Sequence, residues 1–306
     1  MEFYYFGGNF FPGILDEIKN SNFDGVMFTY DATQGDIFTR IVQQLSTDEK
    51  IKYLVAIRPY TISPQYLCMI NQSMNLIMGN RIQINLISGY VKDHEKNFGG
   101  IIGEIYDLSN KVDRSKYLIK YVDVLNTMPG NQNNSHPLDF YVSTTNKYIE
   151  ETVNKYNNKI ILPYKDYKNG YWTIDPTICN CCGMKISNRN KILKENLKLD
   201  YSKVMLAITP ILRKNRKQLE ELPDYYGERP VWREGEKTKV AVSDVEFFTY
   251  EEFNIFIKNL EEKGIKQLLI NSWPAREYTV IMDYVKNYSQ LKQVKTNTWK
   301  RFYFQQ

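Results

Sequence analysis

Residues 52–89 read KYLVAIRPYTISPQYLCMINQSMNLIMGNRIQINLISG. Tyr53–Pro59 is an apolar, β-branched and aromatic run of strand length. Ser63 follows, a side chain able to cap a helix, and Pro64 has the fixed φ that suits a first helical turn. Gly79 supplies the stop. Ile82–Gly89 returns to a strand pattern. A strand, a capped helix and a second strand make a βαβ unit, whose two strands run parallel.

The same rhythm extends in both directions. Upstream, Phe3–Phe10 reads as a strand, Pro12–Asn20 as a short helix, Phe23–Asp31 as a second strand and Phe38–Leu45 as its helix. Downstream, Arg114–Leu125 places Leu118, Ile119, Val122 and Leu125 at helical spacing. Leu138–Ser143 reads as a fifth strand with Asn146–Tyr156 as its helix, and Lys159–Pro163 as a sixth. Val204–Leu212 is a seventh strand, with Pro210 expected at its end. Tyr250–Lys263 is a helix closed by Gly264, Ile265–Trp273 an eighth strand, and Ala275–Tyr288 a last helix. Eight strand-then-helix units fit a (β/α)8 TIM barrel of the α/β class. An open doubly wound sheet is the alternative, but no GxGxxG follows any strand. The expectation is one domain over residues 1–306, with loop insertions at about 164–190 and 213–249. In a barrel both insertions lie at the C-terminal face, where active sites form.

Composition narrows the function classes. The chain has 306 residues, 40 Lys+Arg against 35 Asp+Glu, and a formal charge of +5. Basic residues are interspersed with acidic ones, so no stripe for nucleic acid is visible. No apolar run nears the roughly 20 residues that span a bilayer. A soluble, cytoplasmic protein with no membrane partner is expected. Of the four cysteines, Cys179, Cys181 and Cys182 crowd together. A tetrahedral metal set would need a fourth ligand from Cys68, His94 or His136, and no metal is expected.

The motifs in residues 52–89 resemble those of the bacterial luciferase-like flavin monooxygenases, most closely the alkanesulfonate monooxygenase branch. The resemblance is carried by Arg58-Pro59, Ser63-Pro64, Asn75, Gly79, Arg81 and Asn85-Leu86-Ile87-Ser88-Gly89. It continues in Asp113-Arg114-Ser115-Lys116-Tyr117 and in His136–Thr145, which resembles a fifth strand and phosphate-binding turn. Ile270-Asn271-Ser272-Trp273-Pro274 with Glu277 resembles a closing strand. This likeness implies a barrel that binds reduced FMN at its C-terminal face and oxidises a small organic substrate with dioxygen. Ser143, Thr144 and Thr145 would hold the phosphate with backbone amides and hydroxyls, and Tyr117 would add a hydroxyl. Asn85 and Ser88 would meet the ring or ribityl chain, with Ala56 and Arg58 beneath the flavin. Arg58, His94 and Trp273 are candidate catalytic groups. Bland readings stand beside these: Arg58 as partner of a carboxylate at the mouth, Ser143–Thr145 as a helix cap, Tyr117 as a packing residue.

Departures from the family matter for substrate. The Arg-x-His pair of the alkanesulfonate enzymes falls on Ala207 and Thr209, their cysteine after strand two near Thr33 or Gln34, and their last-strand tyrosine on Trp273. Their long lid is replaced by the shorter Arg213–Thr249, in which Arg229 and Arg233 could meet an anion. The resemblance implies a homodimer and a separate flavin reductase as the source of reduced FMN. Its alternatives are a non-catalytic or flavin-binding barrel subunit acting as a partner protein, and a deazaflavin-dependent oxidoreductase. The helix Gln65–Met78 carries more apolar surface than one barrel face requires.

Overall fold

The computed structural model describes residues 1–7, 13–30, 35–43, 50–87, 111–128, 137–143, 155–163, 200–223, 228–233, 236–241, 245–272 and 275–288. Strands β1 (Glu2–Phe6), β2 (Gly25–Phe28), β3 (Lys52–Ile57), β4 (Ile82–Ile87), β5 (Phe140–Ser143), β6 (Lys159–Pro163) and β7 (Val204–Arg213) form one parallel sheet. It closes through β11 (Gln267–Asn271), which pairs with β1 on one side and β7 on the other, while β6 pairs with β7. The eight-stranded parallel barrel expected from the sequence is therefore observed, ringed by α1 (Ile14–Lys19), α2 (Ile37–Gln43), α3 (Pro64–Met78), α4 (Lys111–Thr127), α6 (Tyr250–Glu262) and a helix at 278–288.

The local signals of residues 52–89 act as read. Ser63 Oγ accepts from the Tyr66 backbone N–H, Pro64 opens α3, and Gly79 ends it at φ 62. That left-handed conformation is one glycine adopts without a Cβ penalty. Strand β3 stops at Ile57 rather than Pro59, because Pro59–Thr61 turns into a 3-10 helix. The ends at Phe10, Asp31 and Gly89, most of Asn146–Tyr156 and all of 164–190 lie outside the described residues.

Two expectations are corrected. Pro210 lies inside β7, not at its end. The register shows why it is tolerated: β6 pairs with residues 204–207 and β11 with 205–208, whereas 209–213 pair only with β10 (Val245–Thr249). The missing N–H falls where the strand has left both barrel neighbours. The 213–249 insertion is also not a simple loop. It holds α5 (Arg216–Glu220), an antiparallel hairpin of β8 (Glu228–Arg233) and β9 (Glu236–Ala241), and β10.

Packing follows strand alternation. Residues pointing outward, such as Phe3, Tyr5, Val55, Ile84 and Val142, join the helices in the main core. Those pointing inward, Tyr4, Met27, Leu54, Ala56, Tyr141, Ile161, Met205 and Leu269, fill the barrel. Its N-terminal floor is polar. Lys52 Nζ and Gln267 Nε2 donate to Glu2, and Gln267 Oε1 accepts from Tyr141 OH at 2.8 Å. Lys159 Nζ and Gln83 Nε2 donate to Asp139, and Gln83 Oε1 accepts from Tyr4 OH at 2.9 Å. Two lysine–carboxylate–glutamine–tyrosine relays thus satisfy the barrel's interior polar groups, which would otherwise be costly to bury.

Candidate active site at the barrel mouth

Above the layer of Tyr4, Leu54, Tyr141 and Met205, the inward positions of strands one, three, five and seven are Phe6, Ala56, Ser143 and Ala207. The staggered register brings these four level. Three of them are small. Where a filled barrel would carry bulky branched residues, this layer leaves room at the C-terminal mouth. Asn85 and Ile87 of β4 border it, and Thr209 and Asn271 stand on the side of β7 and β11.

Hydrogen bonding ties these residues in pairs. Ser143 Oγ donates to Asn85 Oδ1 at 2.8 Å, so two residues singled out from sequence are brought together. The contact arises because Asn85 pairs with Tyr141 and Ile87 with Ser143 in the β4–β5 register. With its oxygen engaged, the Asn85 side chain keeps its N–H2 as a donor. Across the mouth, Asn271 Nδ2 lies 3.4 Å from Thr209 Oγ1. Asn85 and Thr209 are both buried.

Arg58 follows β3 directly and is 7% exposed. Its Nη1 donates to Tyr60 OH at 2.6 Å, and its guanidinium lies 5.3 Å from the centroid of the Tyr30 ring. Tyrosine groups thus hold this guanidinium in place. Ala56 is fully buried inside the barrel. Tyr117 lies on α4, packs against the main core and sits 6.4 Å from Tyr121 between ring centroids. Ser88, His94, Thr144, Thr145 and Trp273 lie outside the described residues, as do Cys179, Cys181, Cys182, His136, Thr33 and Gln34.

Electrostatics separates binding groups from titrating ones. Burial pushes the Tyr4 and Tyr141 phenols far above their ordinary range, and both hydroxyls point to the floor, away from the mouth. Cys68 faces the core from α3, and burial raises its thiol. Among the described residues no group of three His, Cys, Asp or Glu side chains could hold a metal. The inner wall of Phe6, Ala56, Asn85, Ile87, Ser143, Ala207, Thr209 and Asn271 carries no carboxylate, histidine or thiol. It supplies space, amide and hydroxyl hydrogen bonds and a nearby guanidinium. Those features fit a planar ligand with polar edges, a flavin among them.

Sequence reasoning did not single out Tyr60, Phe6 or the Thr209–Asn271 pair as site residues. Alternation along β1, β7 and β11 was the available signal, since it puts positions 6, 207, 209 and 271 on the inner face.

No family model matches the sequence, and no curated protein sequence matches it. Solved structures do. A long-chain alkane monooxygenase, LadA, superposes with a TM-score of 0.58 at 12% identity, covering 92% of this chain and 83% of its own. EDTA monooxygenase from Chelativorans sp. BNC1 gives 0.57 at 10% identity, over 91% of this chain and 85% of its own. Coenzyme F420-dependent tetrahydromethanopterin reductase from Methanopyrus kandleri gives 0.54 at 10%, over 93% and 97%. At such identities the shared property is the fold alone: the described residues form a (β/α)8 barrel, as these structures do.

Proposed function

We propose that the protein is a flavin-dependent oxidoreductase, an FMNH2-dependent monooxygenase that oxidises a small organic substrate with dioxygen. The observation that carries this reading is the Asn85–Ser143 hydrogen bond beside the small Ala56–Ser143–Ala207 layer at the mouth. When bound, the flavin supplies the redox chemistry, as cofactors do where side chains cannot. The chain's own residues bind and orient. Ser143 fixes the Asn85 amide as a donor toward the ring or ribityl chain, and Ala56 and Ala207 leave the volume the ring needs. Arg58 brings positive charge to the end of β3. Ser88, Tyr117, Thr144 and Thr145 complete the proposed cradle. The sequence motifs favour the alkanesulfonate branch for flavin binding, but Ala207 and Thr209 remove the cation expected for a sulfonate. A separate reductase supplies reduced FMN, and the protein works as a cytoplasmic homodimer. Among the described residues no helix is long and apolar enough to cross a membrane.

Anaerobic titration with reduced and oxidised FMN, beside a deazaflavin, tests the reading. Reduced FMN is expected to bind in the micromolar range. Ser143→Ala loses one hydrogen bond at the site, about 1 kcal/mol or roughly a fivefold weaker Kd. Tight binding of the deazaflavin alone would move the assignment to a deazaflavin-dependent oxidoreductase, in line with the F420 dependence of a structural relative. Binding of neither cofactor would favour a second reading, a non-catalytic barrel subunit, which the exposed apolar stripe on α3 supports.

A further inference from the structure

Strand β7 has an unusual end. Its last five residues, Thr209–Arg213, extend past the barrel register and form a two-stranded ribbon with β10, ending with Arg213 opposite Thr249. At about 3.3 Å per residue the ribbon projects roughly 17 Å beyond the last shared register. It carries the 214–244 segment between its two strands. Its root is tied to β11 by Asn271 and Thr209. Its tip is tied by Arg213, whose Nη1 and Nη2 meet Glu277 Oε2 and Oε1 at 2.7 and 2.9 Å. Glu277 is 2% exposed and lies in the 3-10 turn that follows β11. Arg213 Nη1 also donates to the Leu212 carbonyl at 2.6 Å, which fixes the fork.

The ribbon's other strand is secured separately. Thr249 and Glu252 form a reciprocal capping box at the start of α6, and Glu252 pairs with Arg216. Stability alone is a poor reason for a buried ion pair, because desolvation offsets much of its attraction. A bidentate pair does supply fixed geometry.

We propose that Arg213 and Glu277 form a latch. It holds the β7–β10 ribbon against the end of β11 and so sets the wall of the mouth on that side. Arg213 and Glu277 are positioning residues: they act through the ribbon and through Thr209 and Asn271. Ligand affinity at the mouth depends on the latch, and this second half rests on the flavin reading above.

The test uses the full chain with Glu277→Gln and, as the milder change, Arg213→Lys, which keeps the charge but loses the fork. Amide hydrogen exchange is followed in 209–213 and 245–249, with 52–57 and 82–87 as internal controls, and reduced FMN is titrated in parallel. Both variants are expected to exchange at least tenfold faster in the ribbon with the control strands unchanged, and to bind FMN several-fold more weakly. Unaltered ribbon exchange in both variants would overturn the latch. Faster ribbon exchange with an unchanged Kd would overturn its role in binding. If the unmodified protein binds no flavin, the flavin reading fails and takes the binding half with it, while ribbon exchange still decides the latch. Should Glu277→Gln slow or prevent folding, Arg213→Lys gives the same decision.

Discussion

Gly25 shows how tightly the barrel interior is specified. A Cβ there would lie 2.4 Å from two atoms of the Tyr4 ring and 3.0 Å from the Lys52 carbonyl oxygen. The ring cannot swing aside freely, because its hydroxyl is held by Gln83, which is held in turn by Asp139. Gly25→Ala is expected to cost about 1–3 kcal/mol by overpacking, read as a lower urea midpoint with unchanged slope. Nothing in the sequence marks Gly25, since the close approach is made by a residue from the preceding strand. Glu2 gives a pH prediction. Burial raises its carboxyl, but hydrogen bonds from Gln267 and Lys52 and the Lys52 charge outweigh that and hold it net below the ordinary glutamate range. A depressed folded value means the stabilisation is present above the unfolded value and lost as pH falls through the folded one. Asp24 runs the other way: burial raises it despite the Phe3 N–H, so its protonation favours the fold. Stability is therefore expected to fall below about pH 4.5 through Glu2 and to be cushioned by Asp24. Denaturant titrations of Glu2→Gln between pH 3 and 6 (a range set by ordinary carboxylate values) should show a shallower acid-side loss. An unchanged slope would remove Glu2 from the account.

Elements with local punctuation were legible in the sequence. Helix α3 begins and ends where Ser63, Pro64 and Gly79 put it, because each acts within a few residues of itself. Ser63→Ala removes the cap on the Tyr66 N–H and should cost about 1 kcal/mol, measured by thermal or chemical unfolding. A loss near zero would mean that Pro64 alone sets the start. The 213–249 segment was not legible for the opposite reason. Its strands β8 and β9 are rich in charge and show no apolar alternation, so the period-two signal is absent. Their register leaves only residues 234–235 between the two strands, and Glu234-Gly235 there was the one short hairpin cue. Strand β7 departs from the expectation at Pro210 because proline is barred from a strand interior only where both sides stay paired, and here one side does not. Among positions picked from contiguous motifs, the structure places Ala56, Asn85 and Ser143 on the inner face near the C-terminal mouth, with Arg58 directly after β3. Pairs that join segments far apart in the chain, such as Thr209–Asn271 and Arg213–Glu277, were not legible. Such pairs follow from barrel closure, which single-strand patterns do not encode.

At the scale of the whole molecule the question is what covers the outer surface. Nine large hydrophobic residues are exposed among those described, and six of them, Val42, Tyr66, Met69, Leu76, Ile77 and Val124, lie on helices α2, α3 and α4. At about 100° per residue, Tyr66, Met69, Leu76 and Ile77 fall within roughly 100° of arc on one side of α3. The opposite side buries Leu67, Cys68, Asn71, Met74, Asn75 and Met78. This helix keeps two asparagines inside while Leu76 is 82% exposed, an order that a helix facing water would reverse. A stable interface buries about 800 Å² per partner, more than one helix side offers, and exposed Val124 lies on α4, which packs beside α3. A second copy meeting the patch across a two-fold axis supplies a matching surface without a new sequence, since such an interface is self-complementary. The protein is therefore expected to sediment as a dimer. Leu76→Glu with Met69→Glu should give monomers at micromolar concentration, with the same far-ultraviolet dichroism and an undiminished core transition on unfolding. A dimer that persists in the double variant would put the interface elsewhere on the barrel. A monomeric parent would leave the α3 side for a different protein, the arrangement expected of a barrel that works as a subunit.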